Sequence, residues 1–281
     1  MQHVAIIGAG ELGGAIAHLL ARRDAARSIT LVDESGTVAA GKALDIAQAA
    51  PSEGFATRLA GATDVSYAAG ASVIVIADRA AAPGEWRGED GLMMLKRLMA
   101  GARGAIIVCA GAAQRDLVDR GVRELKIGRD RLFGSAPEAL AGGARALVAL
   151  AVNGSPLDVA LMVIGVPPAH TVISWEEATL GGVSLTRLLD EPVRRRLGPR
   201  INALWPPGPI ALAAAAVKAI ESIAGRHRQL VSSFVAPDGA SGGRLRTAAL
   251  PVRLGAAGVA EVVVPALSSA ERVALDNAMM L

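Results

Sequence analysis

The chain has 281 residues, 52% hydrophobic and only 2% aromatic, with a formal net charge of +3. That length holds one large domain or two of ordinary size, with ample apolar content for a core. The small charge surplus and the scarcity of stacking aromatics argue against nucleic acid as a partner.

The first residues, "MQHVAIIGAG", turn strand-like almost at once and lack a basic leader, so no secretory signal is read here. His3 to Ile7 reads as a strand, Glu11 to Arg23 as a helix, and Ser28 to Val32 as a second strand. A helix is expected from Thr37 to Ala50, ending before Pro51, followed by a turn-rich segment. The apolar run Ser72 to Ala77 and the run Gly104 to Cys109 read as strands buried on both faces, with Met93 to Met99 helical between them. Arg131 to Ser135 reads as the last strand of this sheet. Strands alternating with helices predict βαβ units and a parallel sheet.

After about Pro137 the pattern changes. "LDVALMVIGV" and "HTVIS" read as paired strands, and "EPVRRRLGPRINALW" as a helix whose Arg194, Arg195 and Arg196 form a solvated face. Pro209 to Ala224 is also helical; Lys218 and Glu221 interrupt it, and it is too short to span a bilayer, so no membrane association is expected. The tail reads as hairpin strands and a closing helix from Ser268. The predicted architecture is α/β: a Rossmann-type parallel-sheet domain over residues 1–136, followed by an α+β substrate domain over 137–281.

Gly8-Ala9-Gly10-Glu11-Leu12-Gly13 lies between the first strand and first helix, the context in which a GxGxxG motif binds a dinucleotide. Gly8 permits the tight turn, Gly10 lets backbone approach a pyrophosphate, and Gly13 packs helix on strand. The helix N-terminus offers N–H groups to phosphates. Asp33, ending the second strand, suits an adenine-ribose hydroxyl and favours NAD over NADP. Ala77, at the end of the next buried strand, is assigned to the same cofactor surface.

The stretches "VAIIGAGELGGAIAHLLA", "LVDE", "GKALDIAQAAP", "RAAAPGEWRGEDGL" and "LPVRLGAAGVAEVVVPALSSAERVALDNA" occur in order along essentially the whole chain. Together they resemble the lactate/malate dehydrogenase family. The resemblance implies an NAD-binding domain, a mixed second domain, a homodimer or homotetramer, and oxidation of a 2-hydroxy acid. Arg87 falls on the loop arginine that polarises the substrate carbonyl, and Arg145 on the arginine that forks onto the substrate carboxylate. Ala81 falls where malate dehydrogenases carry a second arginine, and Ala110-Gly111 replaces an Asn-Pro pair. Gly142 stands where the aspartate partner of the catalytic histidine belongs, and Pro167 where that histidine belongs.

His170, three residues on, is the candidate relocated base, against a reading as an ordinary exposed histidine at a strand start. Glu138 is a candidate replacement carboxylate, but a glutamate answering the helix dipole is the stronger reading. Trp86 seals a closed site or packs a hydrophobic substrate, or is a lone exposed aromatic. The remaining histidines have no metal-ligand spacing, and the single Cys109 reads as an inert buried thiol compatible with the cytoplasm. Three functional readings stay open. One is a nearly inactive homologue that binds NAD, with Arg87 and Arg145 available to a small carboxylate. The others are an active dehydrogenase using His170, and an oligomer-forming partner of a true dehydrogenase.

Overall fold

A computed structural model describes residues 1–81, 84–238 and 245–281. The amino-terminal elements are β1 (His3–Ile7), α1 (Glu11–Arg22), β2 (Ser28–Val32), α2 (Gly36–Glu53), β3 (Arg58–Ala62) and β4 (Val73–Ile76). A two-stranded hairpin follows, β5 (Asp78–Arg79) with β6 (Gly84–Glu85), and then α3 (Gly88–Gly101), β7 (Ile106–Cys109), α4 (Arg115–Arg123) and β8 (Leu132–Gly134). Strands β3-β2-β1-β4-β7-β8 are hydrogen-bonded in that order and are all parallel.

Alternation along β1 explains the layers. Val4 and Ile6 face α1, α2 and a later helix, whereas Ala5 and Ile7 face α3 and α4. All four are buried, as a parallel strand covered on both faces requires. Burial of each such side chain is worth about 1.5–3 kcal/mol for the larger residues.

The carboxy-terminal elements begin with α5 (Ala136–Val152), β9 (Val159–Ala160), β10 (Val163–Val166), β11 (His170–Ile173), β12 (Thr179–Leu180) and β13 (Val183–Ser184). They continue with α6 (Leu185–Leu188), α7 (Glu191–Asn202), α8 (Pro209–Ile223), β14 (Val231–Val235), β15 (Ala248–Gly255), β16 (Gly258–Val262) and α9 (Ser269–Met279). Among the described residues, antiparallel β14, β15, β10 and β11 extend the parallel sheet through the pair Phe234↔Gly134. Helix α8 lies against α1, so the core is continuous between the halves. Ser268 and Glu271 close a reciprocal capping box at α9.

Two local expectations change. Helix α2 does not stop before Pro51 but runs to Glu53, ending at Gly54, whose φ of +76° is left-handed. The turn-rich segment after it contains β3, which pairs residue for residue with β2. Gly61 makes that possible, because a Cβ there would lie 2.2 Å from the Ala40 nitrogen of α2. Among the described residues no helix is long and apolar enough to cross a membrane.

Candidate functional site

The order β3-β2-β1-β4-β7-β8 reverses direction between β1 and β4, and ligands of such sheets bind at the carboxyl ends of the strands there. The glycine-rich turn lies at that point. Gly8 has φ +111°, and a Cβ on it would fall 2.2 Å from the Asp78 carbonyl oxygen. Gly13 is equally close-packed, against Gly8. The strand–turn–helix geometry read from the sequence is therefore formed, with Glu11 and Leu12 in the first turn of α1 and Ala77 buried at the end of β4.

The donors of that turn are engaged within the protein. Ala9 N–H donates to Asp33 at 2.8 Å, and Gly10 N–H donates to the Asp78 carbonyl at 3.0 Å. The Asp78 carboxylate accepts from Leu12 N–H at 3.2 Å and Gly13 N–H at 2.9 Å. A carboxylate at this helix end is stabilised by about 0.3–1 kcal/mol, and up to about 2 when partly buried. The gap left by Gly10 is filled by the same group, since a Cβ there would lie 2.3 Å from the Asp78 carboxylate. Asp33, only 5% exposed, also accepts from Ser35 N–H and Ala80 N–H, both at 2.9 Å. A carboxylate has about four acceptor positions, so roughly one remains for a ribose hydroxyl.

Asp78 belongs to the β5–β6 hairpin, where it pairs directly with Glu85. The Glu85 carboxylate accepts from Ala112 N–H at 2.9 Å and Ala113 N–H at 2.7 Å, in the loop after β7. It covers Gly111, whose Cβ would lie 2.2 Å from a Glu85 oxygen. Partial burial raises the Glu85 carboxyl above the ordinary glutamate range, a shift that the two N–H groups and Arg87 partly offset. Ala110 is buried beside it. Trp86 is 6% exposed and lies under the Arg79 guanidinium, 4.9 Å from its ring centroid. It is thus a packed anchor of the hairpin, and the reading as an exposed aromatic is corrected: the hairpin folds its indole into the α3–α4 side of the core. Arg87 is exposed at the start of α3, near Glu85. Ala81 is exposed, and the neighbouring loop residues Ala82 and Pro83 lie outside the described residues.

Arg145, expected from the resemblance to meet a substrate carboxylate, is paired within the protein. Arg145 donates to Glu138 at 2.8 Å and to the Leu161 carbonyl at 3.3 Å. Lys218 of α8 donates to the same Glu138 oxygen at 2.7 Å, and Ser232 N–H to the other at 2.9 Å. Glu138 stands in the first turn of α5, as the helix-dipole reading expects, and is also 3% exposed beneath α8 and β14, where it meets Arg145 and Lys218. Burial raises its carboxyl, but Arg145 and Lys218 outweigh that effect and hold it below the ordinary glutamate range. Gly142 of α5 is exposed, with nothing within 4 Å of its Cβ position.

Pro167 is buried at the tip of the β10–β11 hairpin, whereas Pro168, Ala169 and His170 are exposed. His170 pairs with Val166, at the far end of β10 from the Leu161 carbonyl that Arg145 reaches. Five extended residues separate those points, roughly 16 Å of backbone. Burial pushes the Cys109 thiol far above its ordinary value, so it is no nucleophile. Among the described residues no group of three acidic, histidine or cysteine side chains is placed to hold a metal.

Asp78, Glu85 and Lys218 were not singled out from the sequence. Asp78 had one usable signal, an acidic residue immediately after a fully buried strand at the crevice. Glu85 and Lys218 had none, because their partners lie far away in the chain.

Residues 2–99 match the model described as lactate/malate dehydrogenase, NAD binding domain. A malate dehydrogenase of Thioalkalivibrio sulfidiphilus is 30% identical over 296 residues, covering 99% of this chain and 96% of that protein. The malate dehydrogenase structure from Salinibacter ruber superposes with TM-score 0.87 at 24% identity, covering 98% and 93% of the two chains. A Cryptosporidium parvum lactate dehydrogenase, solved with lactic acid and NAD, gives TM-score 0.88 at 20% identity over 99% and 94%.

Proposed function

The chain belongs to the lactate/malate dehydrogenase family, and on that premise we propose that it retains the family's NAD-binding domain without efficient 2-hydroxy acid chemistry. The observation that carries this reading is the β10–β11 turn. Pro167, which has no group to take a proton, is buried where the resemblance expects the histidine, and His170 is exposed on the far side of the turn. General acid–base assistance is typically worth about 10²–10⁴-fold in rate. Further support comes from Arg145, whose guanidinium is held by Glu138 instead of facing a free anion position. Ala110 and Gly142 offer no side-chain hydrogen bond to a substrate or a histidine.

The direct experiment follows NADH absorbance with oxaloacetate and with pyruvate at high protein concentration. Background rates are expected with both. Robust turnover of either overturns the proposal. Arg87, exposed beside the hairpin, is the residue through which a small carboxylate would be held.

The homodimer or homotetramer implied by the family is proposed to use the face of α2 and the start of α8. There Ile210, 75% exposed, adjoins a groove lined by Ile46 and Ala49. His18, Lys42, Asp45 and Glu53 around it supply both signs of charge, which suits a self-complementary two-fold contact with a second copy. Sedimentation velocity tests this, and a monomer at every concentration overturns it.

A further inference from the structure

We propose that the cleft at the amino ends of β1, β2 and β3 is an anion site, in which Arg27 and Arg58 hold a short inorganic condensed phosphate. The cleft has a volume of about 890 Å³. The five residues of β1, roughly 16 Å of extended backbone, separate it from the glycine-rich turn at the other end of the sheet. A ligand there is independent of the cofactor seat and of whether turnover survives.

The sheet itself brings the two guanidinium groups together. Arg27 leads into β2 and Arg58 opens β3, and the Arg58 N–H donates to the Arg27 carbonyl at 3.0 Å. Ser28 pairs with Arg58, and neighbouring strands stand only about 4.8 Å apart. Both arginines are exposed and line the cleft. Neither guanidinium has a hydrogen bond or ion pair with a described residue. Like charges on neighbouring strands destabilise one another, and an anion between them reverses the sign of that interaction.

The other charged groups of the cleft are already matched. Asp24 accepts from Ala56 N–H at 3.0 Å and from the Thr57 hydroxyl at 3.4 Å. Arg226 donates to the carbonyls of Arg23 and Asp24 at 2.9 and 2.7 Å, and lies 3.9 Å from Glu221. The Met1 amino group donates to the Ala25 carbonyl at 3.3 Å. Burial lowers the pKa of His3, whose Nε2 is 3.0 Å from the Thr30 hydroxyl, so it is mostly neutral at pH 7. Two unpaired guanidinium groups are what remains.

A guanidinium meets phosphate through two parallel N–H bonds, about twice as strong as neutral ones. Two such forks side by side suit two phosphoryl groups joined through one oxygen. No Phe, Tyr or Trp lines the cleft, so a nucleobase has nothing to stack on. The ligand class is therefore inorganic di- or triphosphate, not a nucleotide.

The plain alternative is that both arginines are solvated surface cations. Calorimetric titration of the full chain with inorganic tripolyphosphate, in phosphate-free buffer, separates the two. Wild type should bind one per chain, and Arg27→Gln and Arg58→Gln should each weaken binding at least about tenfold. Arg196→Gln, which removes an exposed guanidinium from α7, should change the affinity less than about twofold. Circular dichroism melts establish that each variant is folded, and Arg27→Lys or Arg58→Lys serves where a glutamine variant is not. No binding by wild type, unchanged binding in either folded arginine variant, or an equal loss in Arg196→Gln overturns the site. Citrate bound as tightly as tripolyphosphate would show a site that reads charge alone, and overturns the phosphate assignment.

Discussion

The two halves of the molecule solve one problem in different ways. In the amino-terminal half, Asp78 and Glu85 stand on a short hairpin and accept backbone N–H bonds at the rim of the crevice. In the carboxy-terminal half, Glu138 stands on the long helix α5 and neutralises Arg145 and Lys218 inside the protein. Both place a carboxylate of the chain against donors that the family resemblance assigns to ligand anions. The first is held at the rim by backbone N–H bonds, whereas the second is packed between α5, α8 and β14. The element that carries the acid thus decides whether it meets backbone donors at a rim or cationic side chains in the interior.

The sharpest way to break this contrast is Glu138→Ala. It leaves two cations poorly matched in a mostly buried site and should cost about 3–5 kcal/mol in urea unfolding. A loss below about 1 kcal/mol would mean that the triad is no more structural than the hairpin. The same group sets an acid limit. Its folded pKa is depressed, so its contribution is present above the unfolded glutamate value and is lost as pH falls through the lower folded one. Glu138→Gln should remove that dependence along with the stability.

Asp33→Ala is the next largest. It strips acceptors from Ala9, Ser35 and Ala80 and should cost about 1–3 kcal/mol, read by thermal or urea unfolding. Hydrogen exchange should also accelerate at those three amides.

Glu85→Gln should have a smaller effect, of opposite pH sense to Glu138. The folded pKa of Glu85 is raised, so its contribution favours the folded state more as pH falls through that folded value toward the ordinary one. Melting temperatures measured across that window should slope for wild type and flatten for Glu85→Gln. Identical slopes would remove Glu85 from the hairpin's balance.

The least effect is expected from His170→Ala. The residue is exposed, so stability should change by less than about 0.5 kcal/mol, and any NADH oxidation should be unaltered. A large loss of activity would restore His170 as a relocated base.

Much of the fold was legible in the chain. The run "VIVI" at β4 and "IIVC" at β7 are buried throughout, as their unbroken apolar character predicts. The glycine turn and α1 follow β1 as the motif requires. β3 was not legible, because "RLAGA" gains strand conformation only by pairing with β2 beneath α2. Of the candidate site, the positions of Gly8, Gly10, Gly13 and Asp33 were readable, but not what fills the space between them.

The sequence alone determined a glycine-rich turn between strand and helix, an acid ending the second strand, and the lack of a proton-taking side chain at Pro167. These are properties of residue type and of neighbours a few positions apart. Only the tertiary structure decided that Asp78 meets the N-terminus of α1 across 65 residues, and that Glu138 meets Lys218 across 80. Such pairs depend on which strand ends and helix faces the fold brings together, since charge interactions fall with distance in space and carry no trace in local periodicity.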